Sequence, residues 1–192
     1  MALKESTMLA LGTQMPDFVL PDVCTQTMIS PETFREKHAL LVMFICRHCP
    51  YVVHVQDELT LLERDYQEKD LGILGISSND VTGYPDDAPL RLKEMAEQLG
   101  WKFPYCYDET QAVAKAFTAA CTPDFFVFDN QRRLVYRGQL DDSRPGNGKP
   151  VNGQDLRTAL DAVLAGQPVA SQQRPSAGCN IKWKPGNEPD YA

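Results

Sequence analysis

ALLVMFICRHCPYV, residues 39–52, joins an apolar run to two cysteines and to the start of an amphipathic pattern. The run ALLVMFI is continuously apolar, as expected for a strand buried on both faces. From Pro50 to about residue 68 the apolar side chains recur at helical spacing, and proline suits the first turn of a helix. This stretch predicts a buried strand that leads through Cys46 and Cys49 into a helix.

A second apolar run, LGILGIS at residues 71–77, follows the predicted helix. A strand, a helix and a second strand in this order favour parallel pairing of the two strands. Farther along, DFFVFD (124–129) and LVYRG (134–138) predict an antiparallel hairpin. Further helices are predicted over residues 90–99, 109–117 and 154–164, and short strands over residues 18–20 and 103–107. Together these patterns predict an α/β fold.

The chain has 192 residues, which favours one domain with additions over two domains. We predict a domain over residues 1–166, with an introductory N-terminal extension, and a C-terminal tail over residues 167–192. The tail is rich in proline and glycine and has little periodicity, yet it contains Cys179, Ile181 and Trp183. Disordered tails rarely carry such apolar side chains, so we expect this irregular tail to pack on the domain.

The formal net charge of −7 makes nucleic acid an unfavourable partner, because an acidic surface repels phosphate backbones. The start MALKESTMLALGTQMPDF has no apolar core of the length found in signal peptides, and no window reaches the length of a membrane span. We therefore expect a cytoplasmic protein without a membrane partner. Six cysteines in that setting are redox groups, metal ligands or buried apolar residues rather than a disulfide framework.

The sequence Cys46-Arg47-His48-Cys49 carries the predicted chemistry. Two cysteines three positions apart at a strand-to-helix junction can bring their sulfurs to bonding distance. The free N–H groups of the helix N-terminus, together with a protonated His48, would favour the thiolate of Cys46. Because stabilised thiolates make a disulfide more oxidising, we expect a reduction potential above that of a typical cytosolic reductase.

Two other interpretations of these residues are open. Cys46, His48, Cys49 and His54 could ligate zinc or copper in a metal-binding or metal-delivery protein, although a second Cys-X-X-Cys pair is absent. The chain could also be a redox-inert interaction module. No cofactor is predicted by any of these interpretations.

Four further motifs accompany the cysteine pair: MPDFVLPDV near the start, LGILGISSND after the active segment, CTPDFFVFD later, and GCNIKWKPGNEP in the tail. With LVMFICRHCPYV they resemble the thioredoxin-fold redoxins, in particular the peroxiredoxin-like branch with the AhpC/TSA pattern. Apart from the tail motif, which resembles the C-terminal segment seen in that branch, the resemblance covers roughly residues 12–165. It implies a thioredoxin-like fold with a central mixed β-sheet flanked by helices.

The resemblance also implies roles for individual residues. Cys46 would be the attacking thiol and Cys49 the resolving thiol of a thiol–disulfide oxidoreductase. Thr122-Pro123 would be a cis peptide that faces the dithiol, with the Thr122 backbone docking an extended substrate. The implied partners are protein or small-molecule disulfides and thiols; the oligomeric state is not predicted.

The alternative enzyme is a peroxiredoxin-like thiol peroxidase with Cys46 as the peroxidatic residue. The sequence departs from that pattern. The peroxiredoxin signature P-x-x-x-T-x-x-C would place threonine at Met43 and proline at Ala39. The usual W-C-G-P-C is also absent, since Ile45 replaces tryptophan and Arg47-His48 replace Gly-Pro. The sequence therefore favours disulfide exchange over peroxide reduction.

The other cysteines are assigned by context. Cys24 and Cys106 are interpreted as structural. Cys121 lies two residues before Pro123, where it is either a buried packing residue or a third redox thiol. Cys179 could pair with Cys121 or with another thiol if the tail folds back onto the domain.

Overall fold

The computed structural model describes residues 3–191. The strands are β1 (Leu3–Glu5), β2 (Leu20–Pro21), β3 (Met28–Ile29), β4 (Ala39–Phe44), β5 (Leu71–Ser77), β6 (Tyr105–Tyr107), β7 (Cys121–Thr122), β8 (Asp124–Phe128), β9 (Leu134–Gly138) and β10 (Ala177–Asn180). The helices are α1 (Pro50–Tyr66), α2 (Pro89–Leu99), α3 (Ala112–Ala116) and α4 (Gln154–Leu164). Two short 3-10 helices, Pro31–Phe34 and Pro85–Asp87, complete the described elements.

The central sheet has the strand order β6-β5-β4-β8-β9. Strand β4 pairs in parallel with β5 and antiparallel with β8, while β8 and β9 form an antiparallel hairpin. All residues of β4 are buried, which explains its uninterrupted apolar sequence. The predicted α/β class, the parallel pair and the hairpin are therefore confirmed.

Alternate residues of β4 face two separate cores. Leu41 and Met43 pack with the buried faces of α1, α2 and α4. Leu40, Val42 and Phe44 pack on the other side, with α3, Phe117 and the introductory segment before β3. A central strand with a helical layer on either side explains why the hydrophobic run shows no period of two.

Several predicted elements are shorter than their patterns. The strand predicted over residues 103–107 begins at Tyr105, because Pro104 has no N–H to donate to a sheet. The helix predicted over residues 109–117 begins at Ala112, since Gln111 adopts a left-handed backbone conformation with φ of 62°. Of the strand predicted over residues 18–20, only the segment Leu20–Pro21 pairs, with β3.

The tail forms a strand that its composition does not predict. Strand β10 lies between β1 and β7 and is antiparallel to both, so residues from the two ends of the chain meet beside Cys121 and Thr122. Cys179 and Ile181 are buried in this arrangement. Among residues 3–191, no helix combines the length and apolar character needed to cross a membrane.

Candidate active site

The dithiol loop, residues 46–49, connects the end of β4 to α1. Cys49 occupies the N-cap position of α1 and Pro50 follows in its first turn, as the sequence predicts. Both cysteines are buried, with 1% of Cys46 and 0% of Cys49 exposed, and their thiols are close enough for each to influence the pKa of the other. The loop therefore presents two thiols in mutual contact.

Thr122 contacts both sulfurs of the dithiol loop. Its Oγ1 lies 3.4 Å from the Sγ of Cys46, and the Sγ of Cys49 donates to its carbonyl oxygen at 3.2 Å. The peptide bond between Thr122 and Pro123 is cis, in agreement with the expectation from the resemblance. Residues 76 positions apart in the sequence thus meet in one site.

A buried carboxylate, Asp87, anchors the dithiol loop. Its Oδ1 accepts the backbone N–H groups of Arg47 at 2.8 Å and of His48 at 3.1 Å. Its Oδ2 is hydrogen-bonded to Nδ1 of His48 and accepts a hydrogen bond from Nδ2 of Asn79 at 2.8 Å. Burial raises the pKa of Asp87, but the hydrogen bonds from His48 and Asn79 outweigh burial and hold the pKa below its ordinary value.

His48 faces this carboxylate rather than acting as a separate cation beside the thiols. Its Nδ1 pairs with Asp87, and its ring stacks on Tyr84 with a centroid separation of 5.0 Å. The buried Nε2 has no hydrogen-bond partner within residues 3–191. The positive charge expected from His48 is therefore accompanied by a negative one.

The expectation that the surroundings of Cys46 lower its pKa is wrong for this structure. Burial, the hydrogen bond to Cys49 and the negative charge of Asp87 raise the pKa of Cys46, while the Thr122 hydroxyl acts in the opposite direction. Moreover, the first-turn N–H groups of α1 act on other thiols: the N–H of Val52 lowers the pKa of Cys49, and the N–H of Tyr51 lowers that of Cys179. The spacing of residues along the sequence could not predict that Asp87 and the tail lie beside the dithiol loop.

The tail contributes a third thiol to the site. In the antiparallel pairing of β10 with β7, Cys179 lies opposite Thr122. Its side chain is 2% exposed, and Cys49 is close enough to raise its pKa. Cys49 therefore lies near both Cys46 and Cys179.

Residues 176–182 form what we call the tail strap. The Ser176 hydroxyl donates to the carbonyl oxygen of Pro123 at 2.6 Å, and the N–H of Ile181 donates to the carbonyl oxygen of Ala120 at 3.1 Å. At the far end, the N–H of Lys182 donates to Oδ1 of Asn79 at 2.8 Å. Asn79 thus joins the tail strap to Asp87 and the dithiol loop.

The remaining candidates lie outside this group. The Sγ of Cys121 faces the carbonyl oxygen of Pro123 at 3.7 Å, and the Sγ of Cys106 faces that of Leu20 at 3.9 Å. Nε2 of His54 contacts the hydroxyl of Ser143 at 2.8 Å, so it does not join the ligand set suggested by the sequence. Cys24 is partly buried, and burial raises its pKa.

A metal-ligand arrangement is nevertheless worth testing against the geometry. Donor atoms of Cys46, His48 and Asp87 lie within 4.8 Å of one another in the described part of the chain. However, the donors of His48 and Asp87 face each other in a direct hydrogen bond instead of a common central point. The hydrogen-bonded pair of His48 and Asp87 accounts for the short distances within this group.

Sequence reasoning missed Asp87, Asn79 and the position of Cys179. The segment that contains Asp86 and Asp87 is predicted as a polar loop. Nothing in its composition distinguishes Asp87, which is buried, from Asp86, which is exposed. One signal could have pointed to this loop. It follows β5, and the predicted parallel pairing of β5 with β4 brings the ends of both strands to the same edge of the sheet.

A central mixed sheet of this order, with a Cys-X-X-Cys turn entering its first long helix, defines the thioredoxin-like class of redox proteins. The family model for redoxins matches residues 10–155, and the chain belongs to the redoxin family. No significant match was found among curated proteins.

Solved structures agree with this assignment. The fold is similar to that of an uncharacterized conserved protein from Geobacillus kaustophilus, with a TM-score of 0.95 and 53% identity over 97% of this chain and 98% of the other. A hypothetical protein from Sinorhizobium meliloti 1021 gives a TM-score of 0.93 at 48% identity, over 95% and 99% of the two chains. A thioredoxin-family thiol:disulfide interchange protein from Chlorobium tepidum shares the fold, with a TM-score of 0.62 at 16% identity over 82% and 99%.

Proposed function

We propose that the protein is a thiol–disulfide oxidoreductase that uses the Cys46–Cys49 dithiol. The observation that carries the proposal is the mutual contact of the two thiols, with Thr122 touching both sulfurs. Paired cysteines at a helix N-terminus are suited to reversible disulfide formation. Membership of the redoxin family supports the same chemistry.

In the proposed reaction the Cys46 thiolate attacks one sulfur of a substrate disulfide. A mixed disulfide forms, and the other substrate sulfur leaves as a thiolate that takes up a proton. Cys49 then attacks Cys46, which forms the Cys46–Cys49 disulfide and releases the second substrate thiol. The substrate gains two electrons and the protein dithiol loses two; the reverse sequence oxidises a substrate dithiol.

This order follows the roles that the resemblance to redoxins implies for Cys46 and Cys49. The side chains of Arg47 and His48, between the two cysteines, are partly exposed, while both sulfurs are buried against Thr122. We further propose protein disulfides as substrates and the cytoplasm as the location of the protein.

A mixed-disulfide trap tests the proposal and the two roles together. The reduced protein is mixed with a disulfide-bonded peptide, quenched in acid and mapped by mass spectrometry. We expect the wild type to reduce the peptide, Cys49→Ser to accumulate a mixed disulfide on Cys46, and Cys46→Ser to lose at least about a hundredfold in rate because its nucleophile is gone. Cys106→Ala is the matched control, since its thiol is buried away from the site.

Two results would contradict this proposal. Peptide reduction that is equally fast in the wild type and in Cys46→Ser would exclude the dithiol as the reacting group. Accumulation of the mixed disulfide on Cys49 in Cys46→Ser, with none on Cys46 in Cys49→Ser, would reverse the two roles.

A second candidate, a thiol peroxidase, is favoured by the hydroxyl of Thr122. Although Met43 stands where peroxiredoxins have threonine, the tertiary structure brings the Oγ1 of Thr122 to 3.4 Å from the Cys46 sulfur. In this reaction the Cys46 thiolate attacks one peroxide oxygen, the O–O bond breaks and the other oxygen leaves as water or an alcohol. Cys49 then attacks the Cys46 sulfenic acid, which forms the Cys46–Cys49 disulfide and releases water. Replacing the peptide in the same assay by hydrogen peroxide separates the two activities.

A further inference from the structure

The site holds three thiols, since Cys46, Cys49 and Cys179 belong to the same buried cluster. The pKa of Cys49 is influenced by both Cys46 and Cys179, so its sulfur lies near each of them. Cys106 and Cys121 face carbonyl oxygens instead of sulfurs. Burial alone therefore does not distinguish Cys179 from the other buried cysteines, but its thiol partner does.

We propose that Cys179 is a third redox-active thiol that exchanges with the Cys46–Cys49 disulfide through the Cys49 sulfur. This inference rests on the proposed function, since it starts from the disulfide formed in that reaction. It assigns the tail strap a chemical role in addition to its packing.

The fit of the tail strap supports a defined position for Cys179. At the neighbouring position, a Cβ on Gly178 would collide with the carbonyl oxygen of Thr122, so only glycine permits this close approach of the two strands. The same pairing places Cys179 opposite Thr122, whose carbonyl oxygen accepts the Cys49 thiol. The backbone thus places Cys179 beside the residue whose carbonyl oxygen binds the Cys49 thiol.

The first turn of α1 prepares Cys179 for ionisation. In the dithiol form, the hydrogen bond to Cys49 and then burial raise the pKa of Cys179. When Cys49 is part of a disulfide the first of these causes disappears. Burial still raises the pKa of Cys179 in that state, but the positive charge of Lys182 and the N–H of Tyr51, which lower it, are then opposed by burial alone.

The exchange step needs no external oxidant. The Cys179 thiolate attacks the Cys49 sulfur, the Cys49–Cys179 bond forms, and the Cys46–Cys49 bond breaks with its electron pair on Cys46. The proton lost by Cys179 is taken up by Cys46, so one disulfide and one thiol are present before and after. The products are a free Cys46 thiol and a tail strap covalently tied to the N-terminus of α1.

Disulfide mapping of the full chain tests the inference. The protein is oxidised in glutathione buffers, quenched in acid, alkylated and digested without reduction. We expect both Cys46–Cys49 and Cys49–Cys179 linkages in the wild type, and mainly Cys49–Cys179 in Cys46→Ser. Cys179→Ala should retain the Cys46–Cys49 linkage alone, and Cys121→Ala should leave the wild-type distribution unchanged.

Gly178→Ala provides a geometric control that keeps all six cysteines. Because the added methyl group displaces the tail strap, we expect the ratio of Cys49–Cys179 to Cys46–Cys49 to fall by about tenfold, the effect of a 1.4 kcal/mol change. Circular dichroism of each variant checks that the domain is folded.

The outcomes separate this inference from the function on which it rests. If Cys46–Cys49 forms in the wild type but Cys49–Cys179 is missing from both the wild type and Cys46→Ser, the inference is overturned and the proposed function stands. If the wild type forms no Cys46–Cys49 linkage across the glutathione series, the proposed function fails, and the exchange inferred from it fails too.

Discussion

The dithiol loop and the tail strap meet at Cys49, but different forces hold them. The loop is fixed by a buried charge, since Asp87 accepts hydrogen bonds from the backbone of Arg47 and His48 and from two side chains. The strap is fixed by backbone pairing with β7 and by a close approach that requires Gly178. The loop should therefore respond to pH and charge, and the strap to shape.

Asn79 connects the two regions. Its amide nitrogen donates to Asp87 and its amide oxygen accepts the N–H of Lys182. Lys182 also lies over the ring of Tyr84, which stacks on His48. The comparison teaches that the dithiol loop and the tail strap are held by some of the same side chains. A substitution in either region can therefore be followed by measuring the reactivity of the same thiols.

The largest expected effect comes from Gly178→Ala in the tail strap. Overpacking costs about 1–3 kcal/mol, which corresponds to a change of about fivefold to 150-fold in the equilibrium for opening of the tail strap. We expect the alkylation rates of Cys49 and Cys179 by iodoacetamide to rise by that factor at every pH, because the change is steric. Rates are measured by mass spectrometry of timed digests.

Gly83→Ala is the matched control for that experiment. A Cβ at position 83 would meet only the Oδ2 of Asp80, at 3.7 Å, which is ordinary contact. Its alkylation rates should equal those of the wild type. Equal rates in Gly178→Ala and the wild type would mean that the strap does not limit access to the thiols.

A smaller, pH-dependent effect is expected from Asp87→Asn in the dithiol loop. Removing the negative charge takes away one of the causes that raise the pKa of Cys46, while burial persists. We expect the alkylation profile of Cys46 to move to lower pH by about one unit, or about tenfold in thiolate at a given pH. The measurement is the rate of Cys46 alkylation between neutral and alkaline pH.

Asp86→Asn serves as the control for charge alone. Asp86 is exposed and its side chain reaches Arg47 at 3.4 Å, so the same change of charge should leave the profile in place. A profile that moves equally in both variants would assign the effect to net charge rather than to the buried carboxylate.

The smallest effect is on stability in acid. Because the pKa of Asp87 is lowered in the folded protein, its contribution to the free energy of unfolding is complete above the ordinary carboxyl pKa of 3.8 and is lost as pH falls below it. We expect the melting temperature of Asp87→Asn to lie about 2–4 °C below that of the wild type at neutral pH. The difference should narrow in thermal melts below about pH 4, and a gap that stays constant would contradict this role.

Much of the fold could be predicted because its signals are local. The apolar run of β4, the helical spacing after Pro50 and the hairpin of β8 and β9 all lie within short windows of sequence. Thr122 was predicted to face the dithiol through a family resemblance, which carries tertiary information that spacing lacks. In contrast, β10 has the sequence AGCN, which has no alternating pattern, and it forms only because distant strands flank it.

The sequence by itself determined the α/β order of elements and the position of Cys46 and Cys49 at a strand-to-helix junction, because hydrophobic period and proline placement act between near neighbours. Only the tertiary structure decided the chemistry around those sulfurs. Asp87, Thr122 and Cys179 lie dozens of residues from the dithiol loop, and their effects depend on burial and distance. Charges and hydrogen bonds act through space, so the same Cys-X-X-Cys spacing can hold thiols of very different reactivity.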